Sequence, residues 1–167
     1  MTSLKGDVVC IQETHFMSSK TPRCSHRAYP HIFQANAPVK KRGVLVAIKH
    51  SVAFQLHDLI CDPNGRYIIM TCDLNNAPYT LVNLYAPNRR QPKCLNSLLK
   101  KVERVKKRSL LMCGDFNGVP NQSMDCSSPP VPRRLELSSL ISNHNLYDTW
   151  RCLHASEKDY THYSFPH

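Results

Sequence analysis

The chain is short of acid. Twelve Asp and Glu stand against 22 Lys and Arg in 167 residues, a formal net charge of +10 with an isoelectric point near 9.4. A field of that sign disfavours cationic partners and favours polyanions, nucleic acid first and an acidic membrane surface or phosphorylated ligand second. Glycine is scarce as well, five residues against twelve prolines, which argues for defined loop junctions and against flexible linkers. The eight cysteines, at positions 10, 24, 61, 72, 94, 113, 126 and 152, include no Cys-x-x-Cys pair. The close-spaced signature of a zinc site or a small disulfide framework is therefore missing. No apolar run approaches the length that crosses a bilayer. The opening MTSLKGDVVC, interrupted by Lys5 and Asp7, is no secretory leader. These absences lead us to expect a reduced, soluble, intracellular protein, nuclear or cytoplasmic, with no membrane association and no obligate protein partner.

What is present suits a single domain over residues 1–167, or part of a larger one, since 41% hydrophobic content is enough for a core. Basic residues cluster at Lys40-Lys41-Arg42, Arg89-Arg90, Lys100-Lys101, residues 104–108 and Arg133-Arg134. Any one cluster reads as a solvated face; five of one sign point to a partner. Short β-branched or apolar runs predict strands at residues 7–11, 28–36, 43–48, 52–60, 66–74, 79–85 and 110–117. Turns are expected at Asp62-Pro63-Asn64-Gly65 and at Asn75-Asn76-Ala77-Pro78. Residues 93–105 carry Leu95, Leu98, Leu99 and Val102 at the spacing of one helical face. The Pro- and Ser-rich residues 125–134 read as a loop, residues 135–144 as a second helix, and residues 146–150 as a short helical or turn segment.

Three apolar runs end in polar residues of one kind. VVCIQETH ends in Glu13, LVNLYAPN in Tyr85 and Asn88, and LLMCGDFN in Asp115 and Asn117. Alternate residues of an extended chain share a face, so Asp115 and Asn117 should point the same way. Carboxylates at several strand tips can meet at one edge of a sheet sandwich. A hard cation such as Mg²⁺ needs only one or two of them, with water and phosphate oxygens completing its shell. Amide side chains and a phenol bind phosphate without repelling it. Taken singly, each residue is equally an ordinary strand-end cap or turn residue.

QETH, GVLVAI, NLYAPN, GDFN and DYTHYS occur in an order that resembles the endonuclease/exonuclease/phosphatase superfamily. The resemblance runs from Asp7 to His167 and is nearest to the apurinic-like endonuclease domain of LINE-type non-LTR retrotransposons. It implies an α/β fold, a four-layered DNase I-like sandwich with the active site at one edge of two packed sheets. It also implies Mg²⁺, with Mn²⁺ as a substitute, and DNA as partner. By resemblance Glu13 matches the metal-binding glutamate, Tyr85 the tyrosine at the scissile phosphate, and Asn88 an asparagine of the phosphate pocket. Asp115 matches the aspartate that orients or deprotonates the attacking water, Asn117 its phosphate-binding partner, and Thr161 a DNA-contacting threonine. His15 receives no catalytic role and reads as a local hydrogen-bonding residue.

The chain departs from that pattern at both ends. Six residues precede Asp7, too few for the family's first strand with its catalytic asparagine. Ser164-Phe165-Pro166-His167 closes the chain before the late aspartate and the Ser-Asp-His segment, and His167 falls too early to be that histidine. We therefore expect a fold incomplete at both ends and little or no Mg²⁺-dependent nicking of DNA by these residues alone. The readings are a metal-dependent endonuclease of retrotransposon origin and a non-catalytic remnant that binds nucleic acid through its basic surface. For a third, an inositol-phosphate phosphatase of the same superfamily, the chain supplies no substrate signature.

Overall fold

A computed structural model describes residues 6–88, 91–106, 109–126 and 137–159. Their contacts divide the chain into two compact units, Met1–Phe116 and Asn117–His167. Among the described residues the first unit holds seven strands: β1 (Val8–Gln12), β2 (His31–Ala35), β3 (Val44–Ile48), β4 (Phe54–Cys61), β5 (Tyr67–Leu74), β6 (Ala77–Tyr85) and β7 (Ser109–Asp115). The helix α1 (Gln91–Val105) joins β6 to β7, and a single 3-10 turn spans Ser18–Lys20. Each expected strand of this unit is found, with ends shifted by up to three residues.

Two sheets form. One has the order β1-β3-β2, all antiparallel; the other runs β4-β5-β6-β7, antiparallel except for the parallel pair β6-β7. A parallel pair needs a crossover, and α1 supplies it. Strand alternation then builds the core. Val44, Val46 and Ile48 of β3 face Ile68, Met70 and Cys72 of β5 and Leu81 of β6 in one buried cluster. Leu45 and Ala47 point the other way, onto Tyr29. This is why VLVAI is apolar at every position: β3 is central and buried on both faces. Helix α1 buries Leu95, Leu98, Leu99 and Val102, the stripe its spacing foretold, while its Lys101 ammonium donates to the Tyr67 hydroxyl. Pro92 sits in its first turn, where a missing N–H costs nothing.

One turn is shorter than its composition suggests. Asn75 and Asn76 alone make it, both with positive φ (50° and 65°), the backbone a two-residue hairpin of the I′ kind requires. Ala77 and Pro78 already belong to β6, pairing with Leu74 and Asp73. Pro78 is tolerated there because it precedes Tyr79, the first β6 residue paired with β7.

Between the sheets lies a polar tie. The fully buried Asn83 of β6 accepts from Gln12 Nε2 (2.7 Å), and its own Nδ2 donates to Ile11 O (3.1 Å) and Leu45 O (2.9 Å). One amide thus holds β1, β3 and β6 together.

The second unit contains short helices α2 (Gln122–Asp125), α3 (Ser138–Asn143) and α4 (Thr149–Leu153). Asp148 caps α4 by accepting from Arg151 N (3.0 Å), and Arg151 forms an ion pair with Asp125 while lying over the Trp150 ring. α3 falls within the second expected helix, whose residues 135 and 136 lie outside the described residues. α4 starts three residues later than the short segment expected at 146, because Asp148 sets its cap. Most of the expected loop at 125–134 also lies outside the described residues, though Asp125 itself ends α2. Among the described residues no helix is long and apolar enough to cross a membrane.

Replacing the buried amide should test the tie. Asn83→Ala leaves Gln12 and two carbonyls without their partner, and urea unfolding should show a loss of about 3 kcal/mol. Gln12→Ala should cost less, and the double variant should fall short of the sum by about 1 kcal/mol, the coupling expected of bonded neighbours. Simple additivity would mean that the two amides do not act together.

Candidate active site

The tie sets the register of the site. Gln12 is the last residue of β1, so Glu13 stands directly beyond it. On β6 the next residue on the face of Asn83 is Tyr85, the last of that strand. Tyr85 is also opposite Asp115, the last residue of β7, and Ala86 N donates to Asp115 O (2.7 Å). Three strand tips from two sheets are thereby brought to one edge.

Close backbone approach makes this edge possible. Gly114 has φ +128°, and a Cβ built there would lie 2.0 Å from Leu84 O, so a side chain would push β7 off β6 immediately before Asp115. Glu13 and His15 have positive φ (57° and 56°), an unusual conformation for residues with side chains. It is held by bonds from Thr14 N to Gly43 O (3.2 Å) and from His15 N to Arg42 O (2.7 Å). Left-handed backbone at a candidate site is where strain commonly collects.

The side chains converge. Tyr85 donates its phenolic proton to the Glu13 carboxylate, and this bond, with burial and the negative charges of Glu13 and Asp115, pushes its pKa up to about 12; Arg66 pulls weakly the other way. His15 Nε2 stands 3.8 Å from Glu13 Oε2, an ion pair when the ring is protonated. Beside them opens a cleft of about 550 Å³ lined by His15, Lys41, Arg42, Arg66, Tyr85, Pro87 and Asn88. Its wall is cationic. Arg66 is fixed through its backbone, with N donating to Asp62 Oδ2 (3.0 Å) and O accepting from Tyr85 N (2.7 Å). Its Nη1 is buried without a hydrogen-bond partner, the only charged side-chain group in that state among the described residues.

Of the residues singled out from sequence, Glu13, Tyr85 and Asp115 are brought together, and Asn88 shares the cleft with Tyr85. The basis for grouping Asp115 with Asn117 needs correction. β7 ends at Asp115, and Asn117 has φ +48°, so strand alternation does not extend to it. The alternation that does operate links Cys113 to Asp115. Asn117 opens the second unit. Thr161 lies outside the described residues. Sequence reading missed Arg66, which looked like the mere start of a strand, and gave His15 no place at the cleft. Lys41 and Arg42 had been noticed only as charge. A signal for Arg66 was present: an arginine directly after a tight turn, ahead of a buried strand, is held at a sheet edge.

The donor set suits a hard divalent cation. Glu13 and Asp115 supply two carboxylates around Tyr85, the number such an ion takes when water and phosphate complete its shell. Among the described residues no group of three or more His, Cys, Asp and Glu is gathered as a metal cage.

The phenol offers a direct measurement. An ordinary tyrosine releases its proton at about pH 10. Between that value and about 12 the unfolded chain has lost the proton and the folded chain keeps it, so this group's stabilising contribution declines as pH rises through that window and is fully present below it. The tyrosinate absorbance step removed by Tyr85→Phe should therefore lie near pH 12, and Glu13→Gln should move it down. A Tyr85 step at an ordinary phenol value would show that the two side chains do not meet.

The fold is similar to that of two solved structures. Against the Xenopus laevis APE2 catalytic domain the TM-score is 0.61 at 15% identity, covering 92% of this chain and 66% of that one. Against the AP endonuclease LMAP from Leishmania major it is 0.70 at 15% identity, covering 91% and 61%. The chain thus spans just under two thirds of the length of each. At such identity the likeness establishes the architecture, an α/β DNase I-like fold. Residues 1–156 match the endonuclease/exonuclease/phosphatase family, and the chain belongs to it.

Proposed function

We propose that this chain carries the phosphate-binding edge of a metal-dependent endonuclease that hydrolyses phosphodiester bonds in DNA. The observation that carries the reading is the meeting of Glu13, Tyr85 and Asp115 beside a cationic cleft. Two carboxylates alone would repel a phosphate. A wall of Lys41, Arg42 and Arg66 offsets that repulsion. The net charge of +10, and the name endonuclease carried by one of the two similar structures, favour a polynucleotide as the source of that phosphate. The order of NLYAPN, GDFN and YTHYS supports a retrotransposon-type lineage.

Each residue then has a task. Glu13 would hold Mg²⁺, or Mn²⁺ in its place, with Asp115 as the second carboxylate beside Tyr85. A cation held there would supply charge neutralisation at the phosphodiester. Tyr85, kept protonated by its raised pKa, is a donor at every physiological pH and can turn from Glu13 to a phosphate oxygen. The Asn88 amide borders the same cleft and hydrogen-bonds phosphate without charge. Asp115 accepts the proton of the attacking water as its oxygen bonds to phosphorus and the ester oxygen leaves. Asn117 and Thr161 serve as a phosphate-binding partner and a DNA contact.

A second reading, nucleic-acid binding without catalysis, draws on the same cationic wall, and one experiment separates the two. In a plasmid-nicking assay with Mg²⁺, Glu13→Gln and Asp115→Asn should each lower the rate by at least about 100-fold. DNA affinity should change little. Lys41→Gln and Arg42→Gln should weaken binding and each flatten the log-log salt dependence by about 0.9, the value for one phosphate contact on a duplex. Salt-sensitive binding with no nicking under any metal would favour the binding module. Nicking that survives both carboxylate substitutions would remove the proposed mechanism.

A further inference from the structure

Cys10 of β1 and Cys113 of β7 meet between the two sheets. Their Sγ atoms lie 3.0 Å apart, and Cys113 Sγ is 3.3 Å from Val82 O. Both side chains pack against the inter-sheet cluster, and both remain partly accessible. The strands that carry them lie at the ends of the described strand orders, β1-β3-β2 and β4-β5-β6-β7. The residues are 103 positions apart in sequence, so tertiary structure alone pairs them. A disulfide bond is about 2.05 Å long, so the sulfurs need to close by roughly one ångström. The two backbones already hold the thiols face to face, and β1 and β7 are tied in place by the Asn83 amide and by pairing with β6.

We propose that Cys10 and Cys113 form a redox modification site, in which a peroxide oxidant converts the two thiols into a reversible disulfide joining β1 to β7. The chemistry balances. One sulfur, as thiolate, attacks the peroxide O–O bond; it takes up one oxygen as a sulfenic acid and the other oxygen leaves as water. The second thiol attacks the sulfenic sulfur, the S–S bond forms, the S–O bond breaks, and a second water departs. Overall two thiols are oxidised and one hydrogen peroxide is reduced to two waters. A thiol-class reductant reverses the bridge by exchange. The bond would pin the strands that lead to Glu13 and Asp115, three residues beyond Cys10 and two beyond Cys113. The proposal requires nothing of the nuclease reading.

Peptide mapping tests it. The folded protein is treated with hydrogen peroxide, remaining thiols are alkylated, and the digest is run without reductant. The peptide containing Cys10 should appear joined to the one containing Cys113 as the main cross-link among the eight cysteines, and dithiothreitol should release it. The same treatment in urea should scatter the linkages, because the fold no longer chooses the partner. Cys10→Ser and, separately, Cys113→Ala should abolish this cross-link. Two results would overturn the proposal: both thiols recovered alkylated or carried to sulfinic acid with no joined peptide, or the same linkage in equal yield in urea.

Discussion

A buried amide governs this protein's geometry. Asn83 lies on the inward face of β6, where its strand alternation would otherwise call for another Leu or Val, and it directs both amide protons and an accepted bond to the opposite sheet. A polar group there is tolerable only when satisfied, because an unpaired buried amide costs more than the bond itself contributes. That asymmetry makes the contact selective. Sliding β6 by one residue would bury the amide without partners and expose Leu84 to the wrong layer. Hydrophobic packing brings two sheets together; Asn83 decides how they are aligned. Everything at the edge follows, since Glu13 is one residue beyond Gln12 and Tyr85 is the next residue on the face of Asn83.

At that edge two opposing charge arrangements stand side by side. Glu13 and Asp115 make one side acidic, enough to hold the Tyr85 proton well past its ordinary value. Lys41, Arg42 and Arg66 make the adjoining cleft basic. Neither half suits a phosphodiester alone: acid repels it, and base binds it without activating water. Together they supply a place for a cation, a donor for phosphate oxygens and an acceptor for a water proton. The left-handed backbone at Glu13 and His15 and the side-chain-free approach of Gly114 to Leu84 are the local distortions that let these groups crowd at strand tips.

The thiol pair belongs to the same construction. Cys10 and Cys113 occupy inward positions of β1 and β7, where small apolar side chains are wanted, and their identity as ordinary core residues accounts for their burial. Their closeness is a product of sheet alignment. Two residues on opposite layers meet only because β1 and β7 are both held against β6, directly or through Asn83.

Much of this could be read from the sequence, and the reason is local. Strand period, turn residues and the α1 stripe depend on neighbours within a few positions, so VLVAI, the Asp62–Gly65 turn and Leu95-Leu98-Leu99-Val102 announced themselves. The motif residues Glu13, Tyr85 and Asp115 are legible because each stands at or directly after the end of an apolar strand. What the sequence could not specify was anything that needs two layers. Arg66 reads only as the start of a strand, and no local pattern singles out Asn83 or pairs Cys10 with Cys113. Asn117 failed the alternation rule because its backbone turns left-handed immediately after the strand, a departure no periodicity reveals. Local pattern determined the elements and their tips; tertiary structure decided the register between sheets, because the amide, the cationic wall and the thiol contact each join residues from segments far apart in the chain.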